Sequence, residues 1–429
     1  MRLRTQLALV SLLLGAVVAL GLQGGSSPSE AQAPQRRVLG SKVRRLPPPP
    51  RGTRSAEVVD ADTPLFAEPR GGAERLGTLA RGTRVPIQAR LDAPGCDGVW
   101  LKVGREAFVC DRHMQLSREA PAGTRHPSVE PGAILPYDYA FIATDGTRAF
   151  AHPSDYFADE YHSALGQGFG VILSGRTLYD GVPFVKTRRH LYIQADQVRP
   201  ARGSGFQGVE LEEGQPLDLA FTKRRNVGIH ARRGGPISRR AGQREVLHVA
   251  EAHGRWLELT DGTWVRRRDV HLAETSERPE SAPEGDGWSG TWIDVSIDEQ
   301  VLVAYRGDRP VYVTLVSTGR NGPTHATPLG EHRLWVKLAF SDMDNLERDD
   351  VSENYALERV PWVQYFEGAN GLHAAFWHDD FGRRKSHGCV NLSPRDARFL
   401  FDFTEPSLPV GWTAVFPREG QHATIVRVR

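Results

Sequence analysis

An internal repeat constrains the fold of this chain more than any other feature. "GVWLKVGREAFVCDRHMQL", Gly98 to Leu116, aligns without a gap on "GRWLELTDGTWVRRRDVHL", Gly254 to Leu272. Trp100 falls on Trp256, Val109 on Val265 and Leu116 on Leu272. A weaker third copy is "FVKTRRHLYIQADQVRP", with Phe184 in the tryptophan position and Ile193 in the valine position. Ahead of each strong copy lies a short apolar segment with paired glycines, "LFAEPRGG" and "GIHARRGG". Short runs of alternating polarity between turn residues read as strands, and a unit repeated at this size reads as a small β-barrel. A lone aromatic at a strand position usually packs, so Trp100 and Trp256 are expected in barrel cores.

These segments resemble bacterial SH3-like modules, which accompany cell-wall enzymes. The resemblance covers 56–118 and 206–274, with a divergent copy expected over 119–205. A chain of 429 residues is too long for one ordinary domain. Glycine and proline are plentiful, which suits a mainly β, turn-rich chain over a helical bundle. The net charge of +2 gives no electrostatic case for a nucleic-acid partner.

The N-terminus has Arg2 and Arg4, an apolar run from Leu7 to Leu22, then small residues, the layout of a secretory signal. Residues 1–33 are therefore expected to be a signal peptide or an uncleaved inner-membrane anchor, with the body in the periplasm or cell envelope. A basic, proline-rich spacer is expected over 34–55, and a second linker over 275–290. In an oxidising compartment Cys96 and Cys110, close in sequence, are expected to pair. Cys389 is then left over, and an odd cysteine in an exported chain flags a reactive thiol.

From Thr291 the texture changes to longer alternating strands, with Val360 to Phe366 and Leu372 to Trp377 read as two of them. Ser393 caps a predicted helix, with Pro394 at its first position, Asp396 in its first turn, and Ala397, Leu400 and Phe401 as the buried stripe. Cys389 in "SHGCVN" therefore stands just ahead of a helix, where a loop can expose sulfur while backbone N–H groups point inward. A thiol needs a base to act as a nucleophile, and His373, His378 and His387 are the candidates. Gly388 permits close backbone approach. The set supports cysteine acyl transfer.

The stretch "LHAAFWHDDFGRRKSHGCVNLSPRDA", with the upstream "STG" and "TPLG", resembles the catalytic domain of L,D-transpeptidases. The match spans 291–417, leaving a short tail at 418–429. The resemblance implies a β-rich domain and an acyl-enzyme on Cys389, formed from a peptidoglycan tetrapeptide with loss of D-alanine. His373 matches the family's upstream histidine and would be the base. His387, Gly388 and Cys389 would supply an oxyanion pocket, Ser386 would orient the loop, and Asn391 would hold the donor or brace the site. His378 departs from the motif and competes for the base role. Trp377 and Tyr365 are candidates to line the substrate cleft. Water as acceptor would make a carboxypeptidase, and a non-catalytic wall-binding scaffold is a further alternative. A zinc site on the histidines, Cys389 and Asp379 is disfavoured because no familiar ligand spacing occurs. No cofactor or metal is expected. A monomer is expected.

Overall fold

The computed structural model describes residues 43–283, 290–322, 324–347 and 354–429. The expected export signal lies outside them. Among the described residues no helix is long and apolar enough to cross a membrane. The chain is mainly β and divides into two units. One comprises the described parts of Met1–Gly123, Ala140–Arg199 and Glu353–Tyr355; the other, those of Thr124–Tyr139, Pro200–Ser352 and Ala356–Arg429.

The repeat is visible in the order of elements. The first copy runs strand Trp100–Gly104, strand Ala107–Cys110, a 3₁₀ turn Asp111–His113, then strand Met114–Ser117. The second runs Trp256–Leu259, Trp264–Arg266, Arg267–Asp269 and Val270–Leu272. The weak copy keeps the order, as Val182–Thr187, Tyr192–Gln194, Ala195–Gln197 and Val198–Pro200. Val109, Val265 and Ile193 are all fully buried, so the apolar position of each second strand faces a core. Trp100 and Phe184 are buried likewise. Trp256 is only half-buried, edge-on to His230 at 4.8 Å with the Arg266 guanidinium over its ring.

In the first unit, Arg44–Arg45 pairs with Leu91–Asp92, so part of the expected spacer joins a sheet edge. Cys96 and Cys110 form a disulfide with Cα atoms 5.6 Å apart. The hairpin from Gly170–Tyr179 to Val182–Thr187 turns on Asp180 and Gly181, both at positive φ (46° and 78°), which matches the right-handed twist of the strands.

The second unit contains a seven-stranded barrel-like sheet over 219–272, with Ala220, Val227, Ile229, Leu257 and Val265 in its core. Beyond it, a six-stranded sheet is ordered Val209–Glu210, Arg309–Leu315, Val301–Arg306, Thr291–Ser296, Ile425–Val428 and Gly330–Arg333. The expected linker is not loose where it is described. Ser276 N–H donates to Tyr305, and Glu280 and Ser281 N–H groups donate to the Glu331 carboxylate.

A further run of pairing joins Trp412–Val415, Val336–Asp344, Ala356–Glu367, Asn370–Ala374 and Val390–Leu392. Ile293, Leu302 and Val426 from the six-stranded sheet meet Trp362, Leu372, Val390 and Leu392 in one core, with the helix stripe Ala397, Leu400 and Phe401. That helix, Pro394–Phe403, starts as the sequence predicts: Ser393 Oγ accepts from Asp396 N–H at 3.1 Å, with Pro394 at its first position.

Candidate active site

The site is built on a parallel strand pair. Leu372 faces Val390, His373 faces Asn391 and Ala374 faces Leu392. The expected strand from Leu372 is shorter than the sequence suggested, ending at Ala374, although Ala375 N–H still donates to Leu392. On its other side, Asn391 exchanges two backbone hydrogen bonds with Ser317, both 2.9 Å. The "STG" segment thus forms a third element beside the "SHGCVN" loop. Gly319 bridges Ser386, Arg320 N–H donates to Ser386 O, and Thr327 Oγ1 of "TPLG" accepts from Gly319 N–H. A Cβ on Gly319 would stand 2.0 Å from His325 O, so only glycine fits there.

Cys389 precedes the strand, is half-buried, and is the one cysteine outside the disulfide. Its thiol donates to Ala369 O at 3.6 Å. Desolvation pushes the thiol up to about 11, and the Gly371 backbone N–H offsets this only in part. Ser386 Oγ donates to Cys389 O and accepts from Gly388 N–H at 3.1 Å, closing the loop on itself. Gly388 has φ +129°, and a Cβ there would fall 2.2 Å from Asn370 Oδ1. This kink breaks the two-residue strand period, so His387 does not lie beside Cys389 on one strand face. It is exposed, contacting Arg320, with its ring tilted against that of His325 at 4.7 Å.

His373 is buried, and its Nδ1–H donates to Ala374 O at 3.0 Å, which leaves the lone pair on Nε2. Burial lowers it to about 4, so it is neutral at physiological pH. His378 is also lowered to about 4, by burial first and the Lys385 ammonium second. Its Nδ1 accepts from Asp380 N–H, so the proton sits on Nε2, 3.0 Å from the Asn391 amide. The amide orientation that presents Oδ1 to this proton satisfies both groups. The opposite one leaves Oδ1 buried with no partner among the described residues. Trp377 is half-buried with its ring 5.7 Å from that of His373. Tyr365 is buried, stacked on Trp335, and lies over Gly371, where a Cβ would meet its ring at 3.0 Å. Tyr365 therefore backs the site and presents little surface to a ligand.

This electrostatics gives an expected result. Alkylation of Cys389 by iodoacetamide should quicken about tenfold per pH unit through pH 8 to 10, with no plateau before about 11. A plateau near neutrality would mean a preformed thiolate–imidazolium pair.

A free thiol just ahead of paired strands that carry a buried neutral imidazole is equipped for thiol acyl transfer. Residues 290–415 match a family model, YkuD, the L,D-transpeptidase catalytic domain. Solved structures similar to this chain include the L,D-transpeptidase from Mycobacterium smegmatis, at 23% identity over 32% of this chain and 58% of that one, TM-score 0.26. Another is L,D-transpeptidase 3 from Mycobacterium tuberculosis, at 20% identity over 33% and 61%, TM-score 0.26. A third is the catalytic domain of the E. faecium L,D-transpeptidase, at 23% identity over 33% and 99%, TM-score 0.25. The chain spans about three fifths of the length of the first two. No curated protein matches it.

Proposed function

We propose that this chain is a peptidoglycan L,D-transpeptidase that works through an acyl-enzyme on Cys389. The observation that carries the reading is the free Cys389 thiol just ahead of strand Val390–Leu392, which pairs in parallel with the strand that holds neutral His373, within the matched segment. Because the thiol is raised and the imidazole lowered, proton transfer accompanies attack and does not precede it. The sulfur adds to the carbonyl carbon of the donor's third residue as Nε2 of His373 takes the thiol proton. The C–N bond to D-alanine then breaks, and His373 returns the proton to the departing amine. An amine from a second stem attacks the thioester, His373 carries its proton to the departing sulfur, the C–S bond breaks, and the Cys389 thiol is restored.

Gly388 N–H is already engaged by Ser386, so Cys389 N–H is the better candidate to face the oxyanion. Asn391 and His378 brace each other, and Trp377, half-buried beside His373, is the aromatic assigned to the donor in this reading. The export signal read at 1–33 suits a wall substrate, and the repeats suit a wall-directed role.

Mass spectrometry of the full chain with a disaccharide tetrapeptide tests this. The expected result is a thioester adduct on Cys389 with one D-alanine released. Adding an acceptor amine should then give a cross-linked product, while release of tripeptide to water alone would assign a carboxypeptidase. An unmodified Cys389 with intact substrate, beside retained binding to wall sacculi, would favour the scaffold.

A further inference from the structure

The loop His378–Gly382 reaches in two directions. Toward the catalytic strands, His378 meets Asn391, Ser317 Oγ donates to Asp380 O, and Gly382 N–H donates to Val316 O. Toward the barrel of residues 219–272, the loop meets Arg244. Its Nη1 donates to Asp379 Oδ1 at 2.7 Å and its Nη2 to Oδ2 at 2.6 Å, with a third bond from Nη1 to Asp379 O. The guanidinium also covers the Phe206 ring, which stacks on Phe381 of the same loop.

The Asp379 carboxylate is 55% exposed, but the Arg244 side chain is only 14% exposed, the fork is bidentate, one face is stacked and Ser204 Oγ also donates to Asp379 Oδ1, conditions under which arginine holds a fixed geometry. Arg244 itself is fixed, at φ +57° with its N–H donating to Thr222 O. The barrel touches the loop again at Gly382, where φ is +98° and a Cβ would come 2.7 Å from His271 Nε2.

We infer that Arg244 is a positioning residue of the site. By clamping Asp379 it fixes the 378–382 loop and, through His378 and Asn391, the strand that begins immediately after Cys389. The barrel is then a working part of the catalytic unit and not a spacer. This rests on the transpeptidase reading for its kinetic consequence, although the clamp itself is testable without substrate.

The test uses the full chain with Arg244→Ala, Asp379→Ala, their double variant and Arg244→Lys. Two readouts are taken: D-alanine release, and iodoacetamide alkylation of Cys389 at pH 8. Arg244→Ala should lower kcat about tenfold with KM changed less than about twofold, because a misplaced group costs rate more than binding. Alkylation should quicken about threefold as the loop loosens around the thiol. Asp379→Ala, which also loses the Ser204 bond, should cost at least as much, and the double variant should be no worse than Asp379→Ala, the signature of one shared interaction. Arg244→Lys keeps the charge, gives up the fork, and should show an intermediate loss even if the alanine variant folds poorly. Wild-type rates in Arg244→Ala, or losses that multiply in the double variant, would overturn the clamp. If no form releases D-alanine, the transpeptidase reading fails. The alkylation rates then decide alone, with equal rates in wild type and Arg244→Ala overturning the clamp.

Discussion

Replacing His373 with Gln should lower D-alanine release by about 10²–10⁴-fold, the usual worth of a positioned general base. The same change at His378 should cost only about tenfold, the scale of a lost brace. The two histidines share a lowered affinity for protons, so titration does not separate them. Hydrogen bonding does. His373 commits its Nδ1–H to Ala374 O and keeps the Nε2 lone pair for a substrate or nucleophile proton. His378 has both nitrogens occupied, one accepting from Asp380 N–H and the other bound to Asn391. It gains a proton only by breaking one of these bonds. Steady-state kinetics on the two variants would settle the roles, and a larger loss at His378 would transfer the base to it.

Asp396→Ala should destabilise the second unit by about 4 kcal/mol, since each buried donor left unpaired costs about 1–3 kcal/mol. Asp396 is wholly buried in the first turn of the helix. Its carboxylate accepts from Tyr312 Oη at 2.7 Å, Thr314 Oγ1 at 2.6 Å and Gly208 N–H at 2.8 Å. Burial raises its carboxyl while these donors oppose the rise. Removing the group leaves three donors without their acceptor, two on the strand Arg309–Leu315 and one, Gly208 N–H, just ahead of Val209–Glu210. Urea unfolding followed by tryptophan fluorescence would measure the loss, and a change below about 1 kcal/mol would show that water replaces the carboxylate.

Local features were the legible ones. The Ser393 cap, the apolar helix stripe and the strand–strand–turn–strand repeat all follow from patterns spanning a few residues, where periodicity carries the information. The parallel pairing of Asn370–Ala374 with Val390–Leu392 is different, because its partners are separated by a loop whose composition says nothing about register. "STG" and "TPLG" were visible as motifs, yet their work appears only when Ser317 pairs with Asn391 and Thr327 caps Gly319. His387 was a candidate base by its nearness to Cys389 in sequence, and the positive φ of Gly388 keeps the two off one strand face. Tyr365 was read as cleft-lining, but it supports Gly371 from behind. Arg244 gave no signal at all, since a lone arginine in a turn looks like any solvated charge.

The raised thiol has a consequence for survival as well as for reaction. At a fixed pH, moving the thiol from its ordinary 9 to about 11 cuts its thiolate population roughly a hundredfold. A less acidic thiolate is intrinsically more nucleophilic, by about tenfold over the same interval, so net exchange with disulfides slows about tenfold. Folding therefore shields Cys389 from oxidants and mixed disulfides in the same environment that lets Cys96 and Cys110 join. The unfolded chain carries the more vulnerable sulfur.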